Sequence, residues 1–180
     1  MFYVFIGLHW CSFRSREKSD VGDINSPMGG KLHVELGEAL RRFGDLERAQ
    51  AAVEEGIKIL QITSTFDSHK GAEAMRELGA IKREIGNLSG ARADLFKACS
   101  LLEQTKSSDT IGGLKTLIEK ALLEKAPAAM KTIAQAQALH TRICPRASDS
   151  RLAMRMEQIY SEYSHTKLRE MATIWFCWGW

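Results

Sequence analysis

Residues 36–51 read LGEALRRFGDLERAQA, and residues 78–93 read LGAIKREIGNLSGARA. Aligned without a gap, Leu36/Leu78, Gly37/Gly79, Arg41/Arg83, Gly44/Gly86, Leu46/Leu88, Ala49/Ala91 and Ala51/Ala93 are identical, and Asp45/Asn87 and Phe43/Ile85 match in kind. Every pair stands 42 residues apart. Self-similarity at a fixed period of this size marks stacked units, each burying its apolar faces only against its neighbours.

Outward from that stretch, apolar residues recur at helical spacing. Leu32, Leu36, Ala39, Leu40 and Phe43 are three and four apart, which predicts one apolar face on a helix that starts near Lys31. Gly44 suits the left-handed residue past a helix end, and Asp45 suits the cap of the next helix. Leu46, Ala49, Val53, Ile57 and Leu60 then form a second stripe to about Ile62, with TSTFDS (63–68) as the connection. The second unit repeats this course. Ala72, Met75, Leu78, Gly79 and Ile81 belong to its first helix, Gly86-Asn87 makes the turn, and Leu88, Ala91, Leu95, Ala98 and Leu102 line its second helix.

A third unit is weaker. Leu114, Leu117, Ile118, Ala121 and Leu122 make a helical face, and Pro127 fits the first turn of the next helix, where its missing N–H costs nothing. Ala129, Ile133 and Ala136, with Leu139 or Ile143, continue it. Ala129 lies 38 residues after Ala91, so this unit is shorter. Residues 144–149 (CPRASD) form a break. Ser148 or Asp149 is placed to cap a seventh helix on which Leu152, Met156, Ile159 and Tyr163 share a face, the first half of a fourth unit.

The 180 residues suffice for one domain or a short repeat array, and 44% hydrophobic with 26% charged residues reads as globular. A net charge of +3, with Lys and Arg interleaved with Glu, argues against nucleic acid. The four cysteines are far apart and read as reduced, packed thiols, which suits a cytoplasmic chain. Three segments follow: an apolar leader and linker (1–30), the helical repeat (31–165) and an aromatic tail (166–180). The apolar run 1–13 is too short to span a bilayer. Both apolar ends suit peripheral membrane contact or packing onto the array.

The unit resembles the tetratricopeptide repeat. Leu36-Gly37, Gly44-Asp45 and Ala49 with Gly56 match its Leu-Gly pair, turn and small residues, as do Leu78-Gly79, Gly86-Asn87 and Ala91 with Ala98. The period resembles a longer variety of that family. The resemblance covers about 31–103 well, weakens to about 163 and is absent at both ends. It implies an all-α, right-handed solenoid of antiparallel helix pairs, with three units and part of a fourth. It also implies that the first helices line a concave groove for a protein or peptide partner. By register the groove carries Lys31, Val34, Glu38 and Arg41, then Glu73, Arg76, Ala80 and Arg83, with the arginines placed to receive an acidic or C-terminal peptide. Leu36, Gly37, Gly44, Ala49, Leu78, Gly79, Gly86 and Ala91 are the structural repeat positions.

No catalytic motif stands beside these. The five histidines form no HExxH, His140 and Cys144 are only two ligands, and no phosphate-loop or nucleophile-elbow pattern occurs. The sequence therefore reads as a non-catalytic interaction scaffold without cofactor or metal. A regulatory peptide- or ligand-sensing module and a membrane-tethered adaptor are the alternatives.

Small residues at Ala49 and Ala91 mark the close approach of two helix backbones. Ala91→Leu is expected to overpack that contact and cost about 1–3 kcal/mol, read as a lower urea midpoint at unchanged slope.

Overall fold

The computed structural model describes residues 24–143 and 151–177; within them the chain forms helices joined by turns, with no strand. The helices are α1 (Pro27–Arg42), α2 (Leu46–Ile62), α3 (His69–Ile85), α4 (Leu88–Gln104), α5 (Ile111–Ala121), α6 (Ala126–Ile143) and α7 (Arg151–Cys177). The leader 1–13, the linker as far as residue 23, the break at 144–149 with its two capping candidates, and residues 178–180 lie outside the described residues.

The first N–H groups of a helix have no partner within it, and short polar side chains supply one. Ser26 Oγ accepts from the Gly29 N–H at 3.1 Å, Ser68 Oγ from Lys70 at 3.2 Å, and Thr110 Oγ1 from Gly113 at 3.3 Å. Asp45 and Asn87 do the same for the second helices, accepting from Arg48 at 3.2 Å and Gly90 at 3.0 Å. The Ser26 cap moves the start of α1 to Pro27, ahead of the expected Lys31. Composition alone makes Ser-Pro-Met-Gly look like a loop, yet Pro at the first helical position is preorganised for a helix.

The turns between paired helices reverse the chain through left-handed glycines, Gly44 at φ 84° and Gly86 at φ 96°. The second helices close alike: Thr63 Oγ1 donates to the Ile59 carbonyl and Thr105 Oγ1 to the Leu101 carbonyl, both at 2.8 Å.

Pairing is antiparallel. A Cβ on Gly37 would meet Val53 Cγ2 at 2.3 Å, while one on Gly30, a turn or two earlier, would meet Leu60 at 3.1 Å, later in α2. Gly79 packs against Leu95 and the Ala91 carbonyl in the same way. Ala49, Ala91 and Ala129 are fully buried at equivalent places in α2, α4 and α6. Between pairs, Val34, Leu60 and Ala74 join α1, α2 and α3, and Ala49, Val53, Leu78 and Ile81 join α2 to α3. Leu114, Ile118, Ile133, Met156 and Ile159 hold α5, α6 and α7 together. Full burial of each large aliphatic side chain stabilises by about 1.5–3 kcal/mol.

Three expectations change. First, the apolar face read on α1 is largely in solvent. Leu36 is 50% exposed and Phe43 88%, whereas Leu78, the repeat partner of Leu36, is 6% exposed. The residues of α1 that face inward are Gly30, Val34 and Gly37. Leu78 is covered by α2, and no described helix stands in that place before α1.

Second, α5 has 11 residues against 16 in α1 and 17 in α3, which accounts for the shorter third unit. Its end is closed from α7: Tyr163 Oη donates to the carbonyls of Ala121 at 3.2 Å and Glu124 at 3.1 Å. Burial, with Glu162 and Glu124 adding to it, pushes the Tyr163 phenol above its ordinary pKa and keeps it a donor. Third, the last helix continues past residue 165. Residues 151–177 contain neither Gly nor Pro, and α7 runs through to Cys177.

Neighbouring glycines at the start of α5 are expected to behave oppositely. A Cβ on Gly113 would stand 2.0 Å from the Ser108 carbonyl oxygen, whereas one on Gly112 meets nothing nearer than 3.5 Å. Gly113→Ala should therefore lower the thermal midpoint, by the equivalent of about 1–3 kcal/mol. Gly112→Ala should leave it unchanged or raise it slightly.

Candidate functional site

The first helices α1, α3 and α5 contact in sequence, and α7 joins α5. Two carboxylates on this row are buried, Glu77 of α3 at 0% exposure and Glu119 of α5 at 2%. A buried charge needs a partner, and here the neighbouring helix provides it. Arg41 of α1 donates from Nε to Glu77 at 2.5 Å, and Arg76 donates to the other Glu77 oxygen at 2.9 Å. Arg83 of α3 donates to Glu119 at 3.3 Å, and Arg155 of α7 donates to the second Glu119 oxygen at 2.8 Å. Glu84 bridges the rungs, accepting from Arg41 at 2.8 Å and Arg83 at 3.1 Å. Burial works against the Arg41 charge, but Glu77 and then Glu84 reverse that and raise its pKa above the usual guanidinium value.

Beside this ladder lie two cavities. One, of about 270 Å³, is lined by Lys31, Val34, Glu38, Glu73, Arg76 and Lys115 among others. The second, of about 330 Å³, is lined by Glu38, Arg41, Arg42, Arg76, Lys115, Ile118, Glu119, Arg151, Leu152 and Arg155. They share Glu38, Arg76 and Lys115 and so form one cleft. The second cavity takes residues from both α1 and α7. Packed helices sit about 8–10 Å apart, so a flat row of four would hold its ends about 24–30 Å apart. The row is therefore bent, with the cleft on its inner side.

The cleft is basic. Its second cavity counts six Lys and Arg against two Glu. Burial opposes the charge on Glu38, yet Lys115, Arg76, Arg42 and Arg41 together outweigh it and hold the carboxyl below its ordinary pKa. Arg76 is only 6% exposed, and its buried Nε has no hydrogen-bond partner among the described residues. A guanidinium has five donors, and an unmet buried donor is costly.

Of the residues assigned to a groove by sequence, Lys31, Val34, Glu38, Glu73 and Arg76 line the first cavity. Arg41 lines the second, with its Nε engaged by Glu77 and its Nη1 by Glu84. Ala80 has no exposed surface and presents nothing to a ligand. Arg83 lines neither cavity and serves the ladder. Lys115 was missed although the signal was available: Lys31, Glu73 and Lys115 stand at successive 42-residue steps. Arg151 and Arg155 fall beyond the shortened unit, where the period no longer points to them.

A third cavity, of about 320 Å³, lies against α4 and the end of α5, lined by Leu95, Phe96, Cys99 and Leu123 among others. Burial raises the Cys99 thiol pKa; Lys120 works against that shift and Glu103 adds to it. Among the described residues, no three His, Cys, Asp or Glu side chains are grouped to hold a metal ion, and no helix is long and apolar enough to cross a membrane. No family model, curated protein or solved structure matches the chain.

Truncating Glu77 should test the ladder. Glu77→Ala leaves the buried Arg41 and Arg76 charges without their shared acceptor and is expected to cost about 3–5 kcal/mol. Chemical denaturation monitored by circular dichroism reads the loss.

Proposed function

We propose that this chain is a non-catalytic interaction scaffold built like a tetratricopeptide array. In this reading the helix pairs stack as a right-handed solenoid of three units and part of a fourth. The bent row of first helices receives an acidic segment of a partner protein. The observation that supports this most is the shared wall of the two cavities, where Arg76 keeps an unpaired buried donor beside Lys115. Lys31 and Lys70 extend the positive lining along α1 and α3. A carboxylate approaching this wall gains charge-assisted hydrogen bonds, while the bend of the row excludes water from part of its surface.

The ladder arginines keep the cleft in shape, and the lysines with Arg76 contact the ligand. Specificity then lies where the units differ on the cleft lining, at Val34 against Arg76. That division suits a scaffold: positions shared between units hold the architecture, and unshared positions select the partner.

Fluorescence anisotropy with a labelled peptide alternating Glu and Leu, against its Lys counterpart, tests this reading. The acidic peptide should bind selectively and weaken with added salt, as screened charge pairs do. Lys31→Glu with Lys115→Glu should reduce its affinity at least tenfold, while Lys97→Glu, on the exposed face of α4, should leave it unchanged. Equal loss in both variants, or equal binding of the two peptides, would remove the cleft as the site.

A further inference from the structure

Helix α1 carries Met28, Leu32, Leu36 and Phe43 on its outer side, each at least half exposed. At the helical step of about 100° per residue these four fall within an arc of about 80°. Ile24, also exposed, continues the stripe beyond the N-terminal end of the helix. This is a contiguous apolar face, not a scatter of single residues.

The repeat says what such a face is for. All four positions have equivalents on α3, 42 residues on: Met28 corresponds to Lys70, Leu32 to Ala74, Leu36 to Leu78 and Phe43 to Ile85. The two middle equivalents are buried, Ala74 against Val34 and Leu60, and Leu78 against Ala49 and Val53, while Lys70 is half-buried and Ile85 exposed. The middle of the α1 stripe, Leu32 and Leu36, thus corresponds to the part of α3 that the preceding helix pair covers. It is also more apolar than its counterpart, with Leu at position 32 where α3 has Ala.

We infer that the apolar N-terminal segment, residues 1–13, docks along the exposed stripe of α1 and stands in for a preceding helix pair. The chemistry matches. MFYVFIGLHWCSF has no charged Asp, Glu, Lys or Arg side chain and carries Phe2, Tyr3, Phe5 and Trp10, large apolar groups suited to filling between Leu32, Leu36 and Phe43. The reach matches too. The stripe from Met28 to Phe43 is about 22 Å long. Residues 14–23 join the segment to the start of α1, and ten residues span up to about 35 Å. Their polar, Ser- and Gly-containing composition allows the chain to turn back. Tethering at that distance gives an effective concentration on the order of millimolar, well above what a second copy of the chain supplies at ordinary protein concentration. This inference is independent of the basic cleft, whose α1 residues Lys31, Val34, Glu38 and Arg41 fall outside the arc of the stripe.

Disulfide trapping in the full-length chain tests it, using Cys11 as the native reporter within the segment. Thiols are introduced one at a time by Leu32→Cys, Leu36→Cys and, on the exposed face of α2, Glu54→Cys. After mild oxidation, peptide mapping of the monomer should show Cys11 joined to the thiol at position 32 or 36 at least tenfold more than to that at position 54. Equal yields at all three sites, or no bond to either stripe position, would overturn the inference. Bonds found only between two chains would also overturn it, and would assign the stripe to a second copy. Hydrogen exchange gives a second reading on native cysteines. Phe2→Asp with Phe5→Asp should speed exchange of the α1 amides several-fold, and unchanged exchange would argue against docking.

Discussion

Two buried carboxylates, Glu77 and Glu119, set the terms for the whole row of first helices. A buried carboxylate needs a cation beside it, and neither of these draws its cations from its own helix pair alone. Glu77 takes Arg41 from the unit before, Glu119 takes Arg83 from the unit before and Arg155 from the helix after. Each of these bonds joins residues 36 apart in sequence. A slip of one helical turn between adjacent units would leave an Arg and a Glu buried and apart. Apolar packing of Leu, Val and Ala tolerates such slips more readily, because it has no direction. Buried ion pairs are weak contributors to net stability, yet they penalise wrong registers heavily.

The same arrangement explains why the cleft is basic without all its arginines being available. The ladder consumes Arg41, Arg83 and Arg155, whose guanidiniums face along the row toward Glu. The other basic residues lining the cleft are Lys31, Lys70, Lys115, Arg42, Arg151 and Arg76, the last tied to Glu77 by one nitrogen and without a hydrogen-bond partner at its Nε among the described residues. Its neighbour Glu77 is shared with Arg41, so the position of Arg76 depends on the packing of α1 against α3. The lining of the cleft and the inter-unit register thus share one hydrogen-bonded group.

Much of the architecture was legible in the sequence because the constraints there are local or exact. Gly44 and Gly86 announce their turns through a left-handed backbone, and Asp45 and Asn87 announce the caps. Other features carried the same 42-residue signal but lay outside the stretch of obvious identity. Ser26, Ser68 and Thr110 cap the three first helices at successive 42-residue steps, and Gly29, Gly71 and Gly113 follow each at a fixed distance. At all three glycines a Cβ would strike the carbonyl of the residue five before, so the incoming chain folds over the first turn each time. Composition hid this, since Ser, Gly and Pro read equally well as linker.

What stayed illegible depends on neighbours that periodicity does not encode. Leu36 and Leu78 are the same residue at the same repeat position, yet one is half exposed and the other buried, because burial belongs to the interface and not to the helix. Arg83 looks like a ligand-binding arginine until Glu119, 36 residues further on, claims it. The early end of α5 is invisible in its own sequence, where Leu122 and Leu123 continue the apolar run. At that end Tyr163, from α7, donates to the carbonyls of Ala121 and Glu124. A repeat sequence thus specifies each unit's internal contacts well and its place in the array poorly. Two of the arginines assigned to the groove by sequence, Arg41 and Arg83, are among the residues that encode that place.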